Sequence, residues 1–373
     1  MTASGGDPWG INQIQSDRAK AVTMLGFTER QARFLVTVML HSGVFVQRQY
    51  CAFAGITHGQ KTHDFIGRLV RRGFAREIRP GALHRGRLYH LHHKRLYTAI
   101  NQPDNRNRRQ APLGRMVERL MLLDAVLDDR QVMWLAAEKD KTRYFALLLQ
   151  EYRFLREELP HLSFGRAPRR TLRMFPDKLP IGVEPACDRH VFLYLLKRSV
   201  PVDLRAFLAR HFTLLKPLHR WTIRVLVPRR FVKAIPVYRH TLYEELATPL
   251  RPSEADELGW HFEQRRHANK GSATCDPRFV EAAKRFSAPR FRALYRLWLQ
   301  HGDSVLWNTY STLLADKFER GEAKVEFVVL SRQYLHLSPL VGVPEGAERG
   351  DNHGAGRLSP CAAVAVASTP SER

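Results

Sequence analysis

Gln60, Lys61, His63 and Asp64 crowd the start of a segment in which Thr62, Phe65, Ile66, Leu69 and Val70 recur at helical spacing. An amide, an ammonium, an imidazole and a carboxylate in a helix's first turns can meet the donor and acceptor edges of bases in a major groove. Arg68, Arg71 and Arg72 follow on the same helix at positions suited to phosphates. Arg76, Arg79, His84, Arg85 and Arg87 stand in the stretch after it. Between Arg30 and Arg95, thirteen Lys and Arg residues face only Asp64 and Glu77, a formal charge of +11. A phosphate backbone is the natural partner of such a field. A protein-docking module with a merely solvated basic face is the competing reading of the same residues.

The elements that must carry these side chains can be read from caps and periodicity. Thr28 and Gln31 have the spacing of a capping box, and Ala32, Leu35, Val38 and Met39 then follow at helical intervals until Gly43. A second helix fits Val46 to Ala54, closed by Gly55. Thr57 and Gln60 give a second capping box for the third helix, which Gly73 stops. Phe74–Ile78 and Arg87–Leu91 read as two strands joined through a Pro80-Gly81 turn. Helix, helix, capped helix and a two-stranded ribbon is the order of a winged helix-turn-helix.

Of the 373 residues, 44% are hydrophobic, enough for a proper core, and the length suits two domains. The formal net charge of +24 favours nucleic acid or another polyanion over a membrane surface. Cys51, Cys187, Cys275 and Cys361 form no C-x-x-C pair, which argues against a zinc ribbon or a disulfide framework. No apolar run approaches the roughly 20 residues that span a bilayer, and the first residues lack an apolar signal core. A cytoplasmic protein with no membrane partner is the expectation.

Composition divides the chain into a flexible lead over 1–17, the winged helix-turn-helix over 18–100, a polar linker over 101–112, an α/β domain over 113–343 and a disordered tail over 344–373. In the second domain a strongly amphipathic helix begins at Leu113. Val191–Leu196 and Trp221–Val227 are near-continuous apolar runs of the kind found in strands buried on both faces. With the helical stretch Leu204–Leu215 between them they make a right-handed crossover, so the fold class is mixed α+β and α/β with a partly parallel sheet. Phe231–Leu246 and Trp307–Phe318 read as helices and Lys324–Leu330 as a late strand.

Taken together, the segments FTERQARFLVTVML, KTHDFIGRLVRRGFARE, GRMVERLMLLDAVL, FPDKLPIGV, HVFLYLLKRS, DLRAFLARHFTLLK and WTIRVLVP resemble the replication-relaxation family of plasmids and mobile elements. The resemblance covers roughly residues 25–230. It implies an N-terminal winged helix-turn-helix, a second domain like a PD-(D/E)XK nuclease, and a role in plasmid replication or DNA relaxation. In such a nuclease an Asp on one strand and a Glu-x-Lys on the next hold Mg or Mn and position a water. Asp177 stands where the first acid belongs, but Tyr194 and Leu196 occupy the places of the acid and the lysine, with Lys197 one residue out of phase. Glu184 is the substitute acid within reach, beside Pro185 in a loop-like stretch. A non-catalytic scaffold without cofactor is therefore expected; a metal-dependent endonuclease using Asp177 and Glu184 is the alternative, and a protein or RNA interaction scaffold is a third reading.

The remaining constellations are looser. His90, His92 and His93 invite a metal clip but suit a solvated strand better, and His261, His267 and Cys275 lack zinc-site spacing. Tyr310 and Tyr334 lack the Arg and His setting of a strand-cleaving nucleophile. No Walker A loop, G-x-G-x-x-G, H-E-x-x-H or G-x-S-x-G occurs. Double-stranded DNA is the expected partner. A homodimer stays open, since many winged-helix proteins dimerise although no heptad is visible here. The DNA-reading residues are expected to be Gln60, Lys61, His63, Asp64, Arg68, Arg71, Arg72, Arg76, Arg79, Arg85 and Arg87.

Overall fold

A three-stranded antiparallel sheet braces a set of packed helices at the amino-terminal end of the computed structural model, which describes residues 10–78, 87–152, 154–165, 171–184, 189–268 and 276–334. The order is α1 (Ile11–Thr23), α2 (Glu29–His41), β1 (Val44–Phe45), α3 (Gln47–Ala54), α4 (Gln60–Arg71), β2 (Ala75–Ile78), β3 (Leu88–Leu91) and α5 (Lys94–Ala99). The sheet runs β1-β3-β2, with Val44 opposite His90 and Glu77 opposite Tyr89. Helix α1 begins well before residue 17, within the stretch read as a flexible lead, and buries Ala19 and Val22.

The capping box at α2 forms as its spacing predicts: the Thr28 hydroxyl accepts from Gln31 N–H and the Gln31 amide oxygen accepts from Thr28 N–H. The expected box at Thr57 and Gln60 does not form. Helix α4 starts at Gln60 itself, with Gly59 at its N-cap and no side-chain cap. A helix begun at Thr57 would have to include Gly59, and glycine resists helical backbone. Gly43 is required twice over: its φ is +76°, and a Cβ there would meet the Asn107 carbonyl oxygen at 2.3 Å.

Residues 101–112, read as a linker, hold a 3-10 turn at Arg106–Arg108 with Asn107 buried. The Asn107 amide donates to the carbonyls of Met39 and Leu40, both at 3.0 Å, and so satisfies the end of α2.

Beyond it run α6 (Leu113–Asp128), β4 (Met133–Leu135), α7 (Glu138–Leu148), β5 (His161–Phe164), β6 (Thr171–Met174), β7 (Ile181–Glu184), β8 (Arg189–Leu195), α8 (Val202–Leu215) and β9 (Arg220–Val227). The carboxyl-terminal part adds α9 (Ile235–Leu246), α10 (Pro252–Ala268), α11 (Pro277–Arg285), α12 (Pro289–His301), α13 (Ser304–Thr309), α14 (Leu313–Glu319) and β10 (Ala323–Val329). Five strands form a mixed sheet in the order β10-β9-β8-β7-β4, parallel from β10 to β8 and antiparallel from β8 to β4. The crossover β8-α8-β9 is the one expected from the two apolar runs. Residues 143–148 are the second half of α7. On either side of Pro176-Asp177, β6 pairs β5 in a separate ribbon and β7 joins the main sheet.

The chain up to Val341 clusters as one compact unit. Leu123, Leu127 and Ala137 complete the core of the amino-terminal helices, while Val44 and Leu88 belong to the core over which α6 meets β8. The expected tail 344–373 lies outside the described residues. Among the described residues no helix is long and apolar enough to cross a membrane.

Candidate nucleic-acid interface

Helix α4 buries Thr62, Phe65, Ile66 and Leu69 and turns its other face to solvent. Phe65 anchors it, its ring 4.2 Å from that of Tyr50 on α3 and 6.2 Å from that of Phe27. Gln60, Lys61, His63, Asp64 and Arg71 are exposed. The Gln60 amide donates to Asp64 at 2.7 Å, and the His63 ring packs edge-on to His58 at 4.9 Å. No acid neutralises the arginines of α4 among the described residues: Arg68 donates to the Gly26 carbonyl at 3.3 Å and Arg72 to the Leu25 carbonyl at 2.6 Å.

Arg72 carries a structural task as well. Its guanidinium lies over Phe74 at 4.6 Å and over Phe27 at 5.6 Å, closing the α1–α2 turn against β2. In the ribbon, Arg76 and Arg87 are exposed; Arg76 donates to Gln110 at 3.3 Å and Arg87 lies 3.5 Å from Glu77. Arg79, Arg85, His84 and the Pro80-Gly81 turn lie outside the described residues.

Beside α4 runs a groove of about 1390 Å³ bounded by α2, α3 and the segment from Val126 to Trp134. Arg30, Arg33, Lys61, Arg68 and Arg130 line it. Arg30 and Arg130 reach the last carbonyls of α3, donating to Ala54 at 3.0 Å and Ala52 at 2.6 Å. Both satisfy a helix C-terminus and leave their positive charge at the groove wall.

The acids proposed for metal-dependent cleavage are placed otherwise. Asp177 is held by a bidentate ion pair with Arg210 of α8, the Nε contact being 3.0 Å. Glu184 is the last residue of β7, opposite Arg189, and not in a loop. Tyr194 is buried against Phe207 of α8, and Lys197 lies past the end of β8, exposed, 3.8 Å from Glu118. Next to Asp177 is a cavity of only about 10 Å³ walled by Phe175, Leu179, Ile181, Phe192 and Phe207. Such a space holds about one water at most.

Lys141 and His211 stand at that wall. Lys141 donates to the Leu179 carbonyl at 2.6 Å; burial, and then the charge of Arg106, push its ammonium down to about 7. His211 packs on Phe207 at 4.1 Å and burial lowers it to about 4.

The histidines of the ribbon make no clip. His90 is buried, its Nε2 3.0 Å from the Asn107 carbonyl, and His93 caps α5, its Nδ1 accepting from Arg95 N–H. His261 is buried and stacked on Phe279, while Cys275 lies outside the described residues. Among the described residues no three His, Cys, Asp or Glu side chains converge.

Sequence reasoning missed one polar knot. Asp124 of α6, buried, accepts from Arg48 at 2.9 and 3.0 Å, from Gln49 at 2.9 Å and from the Tyr334 hydroxyl at 2.5 Å. It ties α3, α6 and the residue beyond β10 together. The available signal was a carboxylate set between Leu120, Leu123 and Leu127 on an otherwise apolar face. Tyr334, weighed as a nucleophile, is this buried donor, and the surrounding burial and Asp124 raise its phenol. Compared with protein-family models, with curated proteins and with solved structures, the chain finds no match.

Proposed function

We propose that residues 27–91 are a winged helix-turn-helix and that the chain is a DNA-binding protein, α4 entering the major groove with Gln60, Lys61 and His63 toward base edges. The observation that carries the reading is the solvent-facing side of α4. It is dominated by polar and basic side chains, and its cations have carbonyls, not carboxylates, as partners. A duplex would complete the field that the protein leaves uncompensated. Arg71, Arg76 and Arg87 would meet phosphates, while Arg68 and Arg72 would hold α4 at its angle to the α1–α2 turn. The resemblance to the replication-relaxation family supports a role on plasmid or mobile-element DNA. Under this reading the five-stranded domain is a non-catalytic scaffold, because Asp177 is spent on Arg210 and the space beside it is too small for a metal with its waters.

A gel-shift titration across salt concentration tests the reading. Duplex binding should weaken steeply with salt and fall further in Lys61→Ala/Arg71→Ala; a duplex that does not bind at low salt would refute it. Plasmid nicking with Mg or Mn that is abolished in Asp177→Ala would instead establish the endonuclease.

A further inference from the structure

The groove beside α4 has α2 as its floor along most of that helix. Arg30, Arg33, Thr37 and His41 recur at three- and four-residue steps and all line it, with Val36 and Leu40 buried between them. From Arg30 to His41 the floor is roughly 16 Å long. Lys61 and Arg68 of α4 and the half-buried Phe53 of α3 stand on one side, and the segment from Val126 to Trp134 stands on the other. The space of about 1390 Å³ exceeds the roughly 300–1,000 Å³ of a small-molecule pocket, and its length suits a chain.

The cations of the groove are brought together by contact. Arg30, from the floor, donates to the Ala54 carbonyl at 3.0 Å, and Arg130, from the far wall, donates to the Ala52 carbonyl at 2.6 Å. Both carbonyls belong to the last turn of α3, so two guanidinium groups from opposite sides are held on one helix end, whose dipole favours them. Arg68 donates to the Gly26 carbonyl at 3.3 Å. Among the described residues no carboxylate pairs with Arg30, Lys61, Arg68 or Arg130. The acids of the lining are engaged: Glu29 with Arg33 at 2.5 Å, Asp129 with Arg224 at 2.8 Å, and Asp64 as acceptor from Gln60 at 2.7 Å.

A duplex does not suit such a floor. Its major groove alone is about 12 Å wide, whereas helices pack about 8–10 Å apart, so a channel over one helix is narrower than a duplex. The duplex also keeps the flat faces of its bases stacked on one another. A single strand fits the channel and brings both chemistries, phosphates for the cations and base faces for the apolar lining. At about 3.4 Å for each stacked nucleotide, the floor takes about four or five. The formal charge of +24 on the chain favours a polyphosphate over an acidic peptide as the source of the negative charge.

We propose that this groove binds a single strand of nucleic acid, with its phosphates on Arg30, Lys61, Arg68 and Arg130 and its bases against Phe53, Val36 and Leu40. The inference does not rest on α4 reading a duplex, although Lys61 belongs to both surfaces.

Fluorescence anisotropy of the full chain with a labelled oligothymidylate of about 15 nucleotides, which cannot pair with itself, is the test. The strand should bind at low salt, and log affinity should fall against log salt with a slope of about −3, from four phosphates at roughly 0.7 each. Thr37→Trp fills the floor without changing its charge; it should weaken the strand by about tenfold and leave duplex affinity unchanged. Arg30→Gln/Arg130→Gln keeps amide donors for the α3 carbonyls and should lower the slope by roughly 1.4. Absence of strand binding at low salt, or a strand affinity that neither variant alters, overturns the proposal. Full competition by poly-glutamate also overturns it and gives the groove to an acidic protein segment. Arg71→Ala/Arg76→Ala, whose cations lie outside the groove, should weaken the duplex alone. Strand binding without duplex binding would sink the α4 reading and keep this one, and duplex binding without strand binding would do the opposite.

Discussion

His211 illustrates how much a single buried side chain contributes. Its Nδ1 lies 2.9 Å from the Phe207 carbonyl, its ring packs against Phe207 and Phe192, and its proton affinity is depressed to about 4 by burial. The unfolded chain takes up that proton near pH 6.5, the folded chain near 4, so stability is whole above 6.5 and is lost as pH falls between the two. His41, lowered to about 3 by burial and then by Lys141 and Arg18, adds to the loss in the same direction. Denaturant midpoints at about pH 7 and about pH 4.5 should therefore differ markedly, and His211→Phe should flatten part of the difference; an unchanged profile in that variant would show the imidazole to be titrating normally. Asp124 is the second residue on which much depends. Replacing it with Ala leaves Arg48, Gln49 and Tyr334 facing one another without their acceptor, at a cost of about 3–5 kcal/mol in urea unfolding, whereas Tyr334→Phe removes one donor and costs about 1–2 kcal/mol.

Among the elements, α4 is the one whose two faces have separate consequences. The buried side fixes it through Phe65, so substitutions at Lys61 and Arg71 on the outer side should leave the stability within about 0.5 kcal/mol of the parent. The same substitutions should reduce the slope of log affinity against log salt by roughly one for each phosphate no longer engaged, read from fluorescence anisotropy on a duplex; an unaltered slope would place the DNA elsewhere. The amphipathic periods of α2, α4 and α6 and the apolar runs of β8 and β9 were legible because each element buries one continuous face or both. What could not be read was where neighbouring elements supply the missing partner. Thr57 and Gln60 have the right spacing for a cap, yet the chain through Gly59 starts the helix later. His90 reads as a ribbon histidine until Asn107, from another segment, covers it. Asp177 is spaced as a metal ligand but is claimed by Arg210, 33 residues on.

At the scale of the whole molecule, the segment with the composition of a linker is part of the seam between the two parts. Asn107 closes the end of α2 and lies against Gly43, where even a methyl group would collide with its carbonyl. Helix α6 then gives Leu123 and Leu127 to the amino-terminal core and Met116, Val117 and Leu120 to the core beneath β8, while Asp124 between them binds Arg48 and Gln49. Two parts that share one helix cannot lose their cores independently, since opening either strips apolar surface from the other at about 2–3 kcal/mol for each leucine exposed. Unfolding followed by far-ultraviolet circular dichroism and by tryptophan fluorescence should accordingly trace one coincident transition. Apart from Trp9, the tryptophans are Trp134, Trp221, Trp260, Trp298 and Trp307, so in a Trp9→Phe background fluorescence reports the carboxyl-terminal part and, through Trp134, the core it shares with Val44 and Leu88. A separate melting of the amino-terminal helices would then appear as a mismatch between the probes. A fragment ending at Asp104 should fail to reach a folded baseline even though it contains all of residues 27–91, because it lacks Asn107, Leu123, Leu127 and Ala137. A fragment that unfolds cooperatively with the full chain's stability would show the seam to be a contact between finished domains, and would free α4 to act apart from the scaffold behind it.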